Sequence, residues 1–567
     1  MKTDGDADER ARRALEQALR GSVRGEVRFD PAARALYATD ASNYRQPPVG
    51  LVVPEDAEDV IAAMAVCRRH GAPVLARGGG TSLAGQTCNT AVVFDYSKRM
   101  RRIVSVDPER RLAVVQPGVV LDRLREAAEE FDLTFGPDPA SHSRCTLGGM
   151  LGNNSCGTHA LMAGKTVDNT RALDLLLYDG TRMTVGATSE DELGAIIAGG
   201  GRRGELYAGM KRIRDRYASQ IRARFPKIPR RVSGYNLDEL LPESGFHVAR
   251  ALVGSEGTCA TILSATMELV ASPQHRRLVT VSFADHFIAA DHVPLALKFK
   301  PIGLEGFDGM LLELCRRKRL ALDDLALIPE GGGHLLVEFG GWTEEDALEQ
   351  AERFVTAAGT WAERPVVRHY AGEEAVRVWR IREQSLGATV FVPDEPHGWE
   401  GWEDAAVPPQ LLGSYLRQME ALMRRYGYRS AMYGHFGQGC VHMRINFDLE
   451  SAAGIAKYRE FIDEAADLVL AHGGSLSGEH GDGQARAALL PKMFGAEIMQ
   501  AFREFKALWD PENRMNPGKL VAPEGARLLQ PGEGLRLGDG YVSVRPATYF
   551  QFAGDHGSFA EATMRCV

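Results

Sequence analysis

The chain lacks a C-x-x-C pair: its eight cysteines, Cys67, Cys88, Cys145, Cys156, Cys259, Cys315, Cys440 and Cys566, are scattered over 567 residues. That spacing excludes a local dithiol or zinc-ribbon motif and points to reduced thiols in a cytosolic, cytoplasmic protein. Long apolar runs are missing too. None approaches the roughly 18 to 20 residues of a membrane span, so any membrane contact is peripheral. The opening stretch MKTDGDADERARR is charged, unlike the apolar core of a secretory signal. Positive charge is in short supply: 67 Lys and Arg stand against 75 Asp and Glu, a formal net charge of -8. A nucleic-acid surface needs clustered cations and is excluded as a partner, whereas a local basic pocket for an anionic substrate is not. What is present, 44% hydrophobic and 25% charged residues, suffices for two to four packed domains.

Periodicity supplies the outline. Ala14, Leu15, Ala18 and Leu19 share one helical face within residues 8–20. Leu51-Val52-Val53 leads through Pro54-Glu55-Asp56 to Val60, Ile61, Met64 and Cys67 on one face, closed by Arg68-Arg69-His70-Gly71. Acid at the start, base at the end and glycine beyond mark a helix between two strands. Strands follow at 74–76, 92–94, 112–115 and 173–178, with a helix over 121–131. Residues 277–408 mix strands, as at 278–283 and 335–339, with a helix over 344–356. Helices over 411–426 and 455–472 come next, and Gly and Pro cluster from Pro523. The fold class is α+β, divided as an N-terminal helical segment (1–46), two large domains (47–271 and 272–521) and a linker (522–567).

Three segments concentrate glycine where strands end: Arg77-Gly78-Gly79-Gly80-Thr81-Ser82-Leu83-Ala84-Gly85, Thr146-Leu147-Gly148-Gly149-Met150-Leu151-Gly152-Asn153-Asn154-Ser155-Cys156-Gly157, and Gly254-Ser255-Glu256-Gly257-Thr258. Glycine admits positive φ and brings successive N–H groups close to an oxyanion. Neither a Walker ending nor G-x-G-x-x-G spacing is present in the first segment. Together the three resemble the FAD-binding domain of the vanillyl-alcohol oxidase and p-cresol methylhydroxylase superfamily, and the match runs through Gly136-Pro137-Asp138-Pro139-Ala140-Ser141. The resemblance implies a two-lobed FAD-binding domain of the p-cresol methylhydroxylase type with an α+β substrate (cap) domain. It assigns the cofactor to Arg77, Gly78, Gly79, Gly80, Thr81, Ser82, Gly85, Gln86, Pro137, Ser141, Thr146, Gly149, Asn153, Ser155, Gly157, Glu256 and Asn516. With no histidine in the first loop, FAD is expected to be non-covalent.

A second constellation is Gly434-His435-Phe436-Gly437-Gln438-Gly439-Cys440-Val441-His442-Met443-Arg444, followed about forty residues later by Ser477-Gly478-Glu479-His480-Gly481-Asp482-Gly483. From Val441 the apolar residues alternate to Phe447, the pattern of a strand. Two imidazoles and a carboxylate make a donor set for a divalent metal that leaves coordination positions open. The H-E-x-x-H spacing of a helical protease site is absent. The pattern resembles the C-terminal half of the FAD-linked D-lactate and D-2-hydroxyglutarate dehydrogenases. That resemblance implies His435, His442 and Glu479 as ligands of Zn, Mn or Fe and His480 as the base. The chain departs from the family in carrying Gly-Gln-Gly-Cys between the histidines and Arg444 after the second.

The implied chemistry is removal of the hydroxyl proton by His480 while a hydride passes from the substrate carbon to the flavin. Arg382 matches the family's carboxylate-binding arginine, Arg444 is a second candidate, and Trp402 is expected to line the pocket. Two arginines favour D-2-hydroxyglutarate over D-lactate as the small 2-hydroxy acid. The last residues resemble the junction leading to an iron–sulfur half in larger fused relatives, with Cys566 as first cluster ligand. An iron–sulfur domain or a quinone is then the electron acceptor, and a homo-oligomer is expected. Two alternatives stay open at this point: a sugar or alcohol oxidase of the same superfamily, and a non-catalytic flavoprotein electron-transfer subunit.

Overall fold

Residues 3–392, 395–542 and 546–564 are described by the computed structural model. They form two compact units: residues up to 273 together with 473–530, and residues 274–472 together with the chain from 531. The expected cluster ligand Cys566 lies outside the described residues.

The first unit holds two main sheets. In one, Glu26–Arg28 pairs antiparallel with Gly50–Val53, and Gly50–Val53, Val92–Asp95 and Val74–Arg77 run parallel. The helix Ala57–Arg69 connects two of these parallel strands. Asp56 caps it by accepting the N–H groups of Glu58 and Asp59, and Arg68 and Arg69 close it, as the charge pattern predicts. Val60, Met64 and Cys67 pack into a core with Val52, Val74 and Phe94. Leu15 and Leu19 of the helix Thr3–Arg20 join that core, so the N-terminal helix is part of this unit. The other sheet is antiparallel, in the order Ile103–Asp107, Leu112–Val115, Thr261–Glu268, Thr170–Leu176 and Arg182–Gly186.

The second unit is built on a seven-stranded antiparallel sheet, in the order Val366–Tyr370, His275–Phe283, Gly333–Gly341, Gly303–Asp308, Met432–Gly434, Cys440–Met443 and Ala405–Ala406. The helix Glu344–Ala358, capped by Thr343, buries Ala347, Ala351, Phe354 and Ala358 along one stripe. The strand expected from Val441 to Phe447 stops at Met443; Ile445 makes only an isolated bridge to Trp399. Its alternation misled because residues 440–445 are buried whichever way they point. The fold class is α+β.

Candidate active site

In the first unit the chain leaves the strand Val74–Arg77 and packs its glycine loop against the start of the helix Leu147–Asn153. Thr146 caps that helix, its Oγ1 accepting the Gly149 N–H at 3.3 Å. Position 78 has no room for a side chain, since a Cβ there would stand 2.1 Å from Thr146 Oγ1. Beside these loops lies a partly open cavity. Arg77, Gly78, Ser82, Gln86, Gly149, Asn153 and Glu256 line it, all of them expected at the cofactor. Leu173, Leu175 and Ile262 from the antiparallel sheet, with Tyr96 and Leu252, give it an apolar side. An amide-rich wall facing an apolar one suits a ligand that carries both phosphates and flat rings.

The other expected cofactor residues, Gly79, Gly80, Thr81, Gly85, Pro137, Ser141, Thr146, Ser155, Gly157 and Asn516, are not among the residues that line the cavity. The Arg77 guanidinium donates to the carbonyls of Tyr37, Thr39 and Thr87 at 3.3, 2.8 and 2.7 Å and lies over the Tyr37 ring, so it braces the loop. Asn516 Nδ2 donates to the carbonyls of Gln86 and Glu256 at 2.9 and 2.8 Å, and its Oδ1 accepts from Asn89 at 2.8 Å. Burial pushes the Cys88 and Cys145 thiols up to about 12, which keeps both protonated and poor nucleophiles.

The same unit presents Glu479 and His480 on one loop. Fully buried Arg230 donates to Glu479 Oε2 at 2.8 Å and also to the Gly157 carbonyl. The Arg230 bond fixes the orientation of the Glu479 carboxylate. His480 Nε2 lies 3.6 Å from Glu479 Oε1. Glu256 is buried near Asp482, and both effects raise its pKa, while the Gly483 and Asp482 amides that bond its carboxylate oppose them.

In the second unit, pairing of Tyr433 with His442 across neighbouring strands brings the rings of His435 and His442 to 5.0 Å between centroids, nearly perpendicular. Each imidazole has its Nδ1 engaged: His435 with Glu305 at 2.8 Å, His442 with the Glu403 carbonyl at 3.0 Å. Engaging Nδ1 fixes the orientation of each ring, as second-sphere partners do for histidines that bind metals. Fully buried Glu305 also pairs with Arg382 at 2.7 Å, and Arg382 lies over the Tyr433 ring. Arg444 is buried opposite Glu400 at 3.5 Å. Burial works against its charge, but Tyr433, Glu400, Glu403 and Asp404 outweigh that and hold its pKa above the ordinary value. Both arginines therefore already face acids of their own unit. Trp402 is buried, its indole N–H 3.4 Å from the Tyr415 hydroxyl.

Sequence reasoning missed Glu305, Arg230 and the apolar cavity side. The signal for Glu305 was there: it is the carboxylate in the interior of Gly303–Asp308, a strand that is buried along its whole length and ends on a second acid, Asp308.

Comparison with known proteins matches two successive regions of the chain. A family model described as FAD binding domain matches residues 48–186, and one described as FAD linked oxidases, C-terminal domain, matches residues 272–520. The chain is 32% identical over 535 residues to D-2-hydroxyglutarate dehydrogenase of Pseudomonas putida, covering 92% of this chain and 53% of that relative. It thus spans about half the length of that curated relative. It is 27% identical to glycolate oxidase subunit GlcD of Bacillus subtilis, covering 89% and 96% of the two chains. Among solved structures, p-cresol methylhydroxylase with substrate bound shares the fold, with a TM-score of 0.62 at 14% identity over 91% of this chain and 98% of that one.

Proposed function

The chain belongs to the FAD-linked oxidases, and on that premise we propose that it is a FAD-dependent dehydrogenase oxidising a D-2-hydroxy acid to the 2-oxo acid. The observation that carries the proposal is the glycine-walled, half-apolar cavity of the first unit, whose lining contains seven residues expected at the flavin. In this reading the first unit is the flavin domain, holding FAD non-covalently, and the second is the substrate domain. When bound, FAD supplies the hydride acceptor and a divalent cation supplies polarisation of the substrate hydroxyl.

The chain's own residues do the rest. His480 takes the hydroxyl proton. Arg230 orients Glu479, and Glu305 and the Glu403 carbonyl hold His435 and His442 through Nδ1, so each donor is set before a cation arrives. Arg382 and Arg444 are the candidates for the substrate carboxylates, each held in place by an acid, Glu305 and Glu400. The name of the Pseudomonas putida relative supports D-2-hydroxyglutarate ahead of D-lactate. The acceptor proposed is an iron–sulfur domain or a quinone. No described helix is long and apolar enough to cross a membrane.

The test is anaerobic mixing of the FAD-loaded protein with D-2-hydroxyglutarate and with D-lactate. One acid should bleach the flavin absorbance, a chelator should abolish the bleaching, and His480→Ala should slow it by about 10²–10⁴-fold with FAD retained. Unchanged reduction by His480→Ala would remove His480 from the mechanism; no reduction by either acid would overturn the proposed activity.

A further inference from the structure

Two residues on the wall of the flavin cavity spend their side chains on the loop that carries His480, all within the first unit. Gln86 Nε2 donates to the His480 carbonyl at 2.6 Å, while its Oε1 accepts the Ala84 N–H at 3.2 Å. Glu256 Oε1 accepts the N–H groups of Asp482 and Gly483 at 2.8 and 3.0 Å, and its Oε2 lies 3.0 Å from the same Gly483 nitrogen. Both side chains are buried, at 1% and 5% exposure, so these bonds do not compete with bulk water.

The loop fits the two side chains closely. Gly481 has a φ of +84°, and a Cβ there would stand 2.5 Å from Gln86 Nε2 and 2.7 Å from Glu256 Oε1. Behind the pair, Asn516 ties the Gln86 and Glu256 carbonyls together, so they move as one piece. A side chain whose polar atoms are spent on protein backbone has little left to offer a cofactor, whatever surface it lends to the cavity.

We infer that Gln86 and Glu256 are positioning residues for His480: they grip the backbone of residues 480–483 and thereby fix the base relative to the cavity, and holding the flavin by hydrogen bonds is not their main role. The part of this that concerns the base rests on the function proposed above. The grip itself does not, and it can be read without turnover.

The experiment measures three quantities on the FAD-loaded protein: FAD affinity, amide hydrogen exchange in the segment 477–485, and the rate of flavin reduction by the better acid. Gln86→Ala, Glu256→Ala and Gly481→Ala should each leave FAD affinity within about threefold, raise exchange at residues 480–483 by about tenfold or more, and slow reduction. Gly481→Ala loosens the grip from the loop side without altering a cavity-lining residue. Glu256→Gln, which keeps one acceptor oxygen for the loop amides, should recover most of the protection. Retained FAD binding shows that each variant is folded. The inference is overturned if Gln86→Ala and Glu256→Ala weaken FAD binding while exchange in 480–483 stays at the wild-type rate. If exchange rises as expected but neither acid reduces even the wild-type flavin, the grip stands and the proposed activity fails.

Discussion

Beside the cavity of the first unit a buried carboxylate is met by backbone amides; around Glu305 in the second unit buried charge is met by side chains. Glu256 is held by the Asp482 and Gly483 amides, and the cavity beside it is walled by glycine loops. Glu305, by contrast, sits between Arg382 and His435, and Arg444 faces Glu400. A backbone amide cannot be mutated away, so the first unit is vulnerable to added atoms. A side-chain network fails when one partner is removed, because the other is left buried and uncompensated.

Substitutions can break that contrast. Glu305→Leu strips the carboxylate from buried Arg382 and should cost about 3–5 kcal/mol in unfolding experiments, together with a 10–100-fold loss of cation affinity through His435. A loss under about 1 kcal/mol would mean that the network does not hold the second unit together. Gly78→Ala adds one atom where the first unit has no room. Overpacking of about 1–3 kcal/mol at the cavity wall should weaken FAD binding roughly ten- to hundredfold. Titration of the variant with wild-type affinity would show that the loop yields.

The smallest effect is one on which the two units should agree. Burial lowers His247 in the first unit and His334 in the second from 6.5 to about 4. As pH falls through 6.5 the unfolded chain takes up these protons before the folded one does. Their contribution is therefore complete above about pH 6.5 and is lost on the way to pH 4. His247→Asn, which can still cap Arg250, should shift the acid unfolding midpoint to lower pH. A midpoint that stays or rises would contradict the assignment.

The same contrast explains what could be read from sequence. The glycine loops were legible because a backbone site leaves its mark on consecutive residues, as from Arg77 to Gly85. The helix Glu344–Ala358 was legible because Ala347, Ala351 and Phe354 repeat along a half-buried element. Glu305 and His435 are 130 positions apart and meet only through the pairing of their strands, which no local pattern records. Arg77 is expected at the cofactor by its place in the motif, yet its guanidinium is used by three carbonyls. Strand alternation failed after Met443 because it carries meaning only where one face is wet, and residues 440–445 have no such face.

The central claim is that the glycine-walled cavity of the first unit binds FAD. Titrating the flavin-stripped, folded chain with FAD and following flavin fluorescence tests it most directly. Saturation at one FAD per chain, weakened by Gly78→Ala, is the expected result; a folded chain that stays colourless and takes up no added FAD would contradict the account.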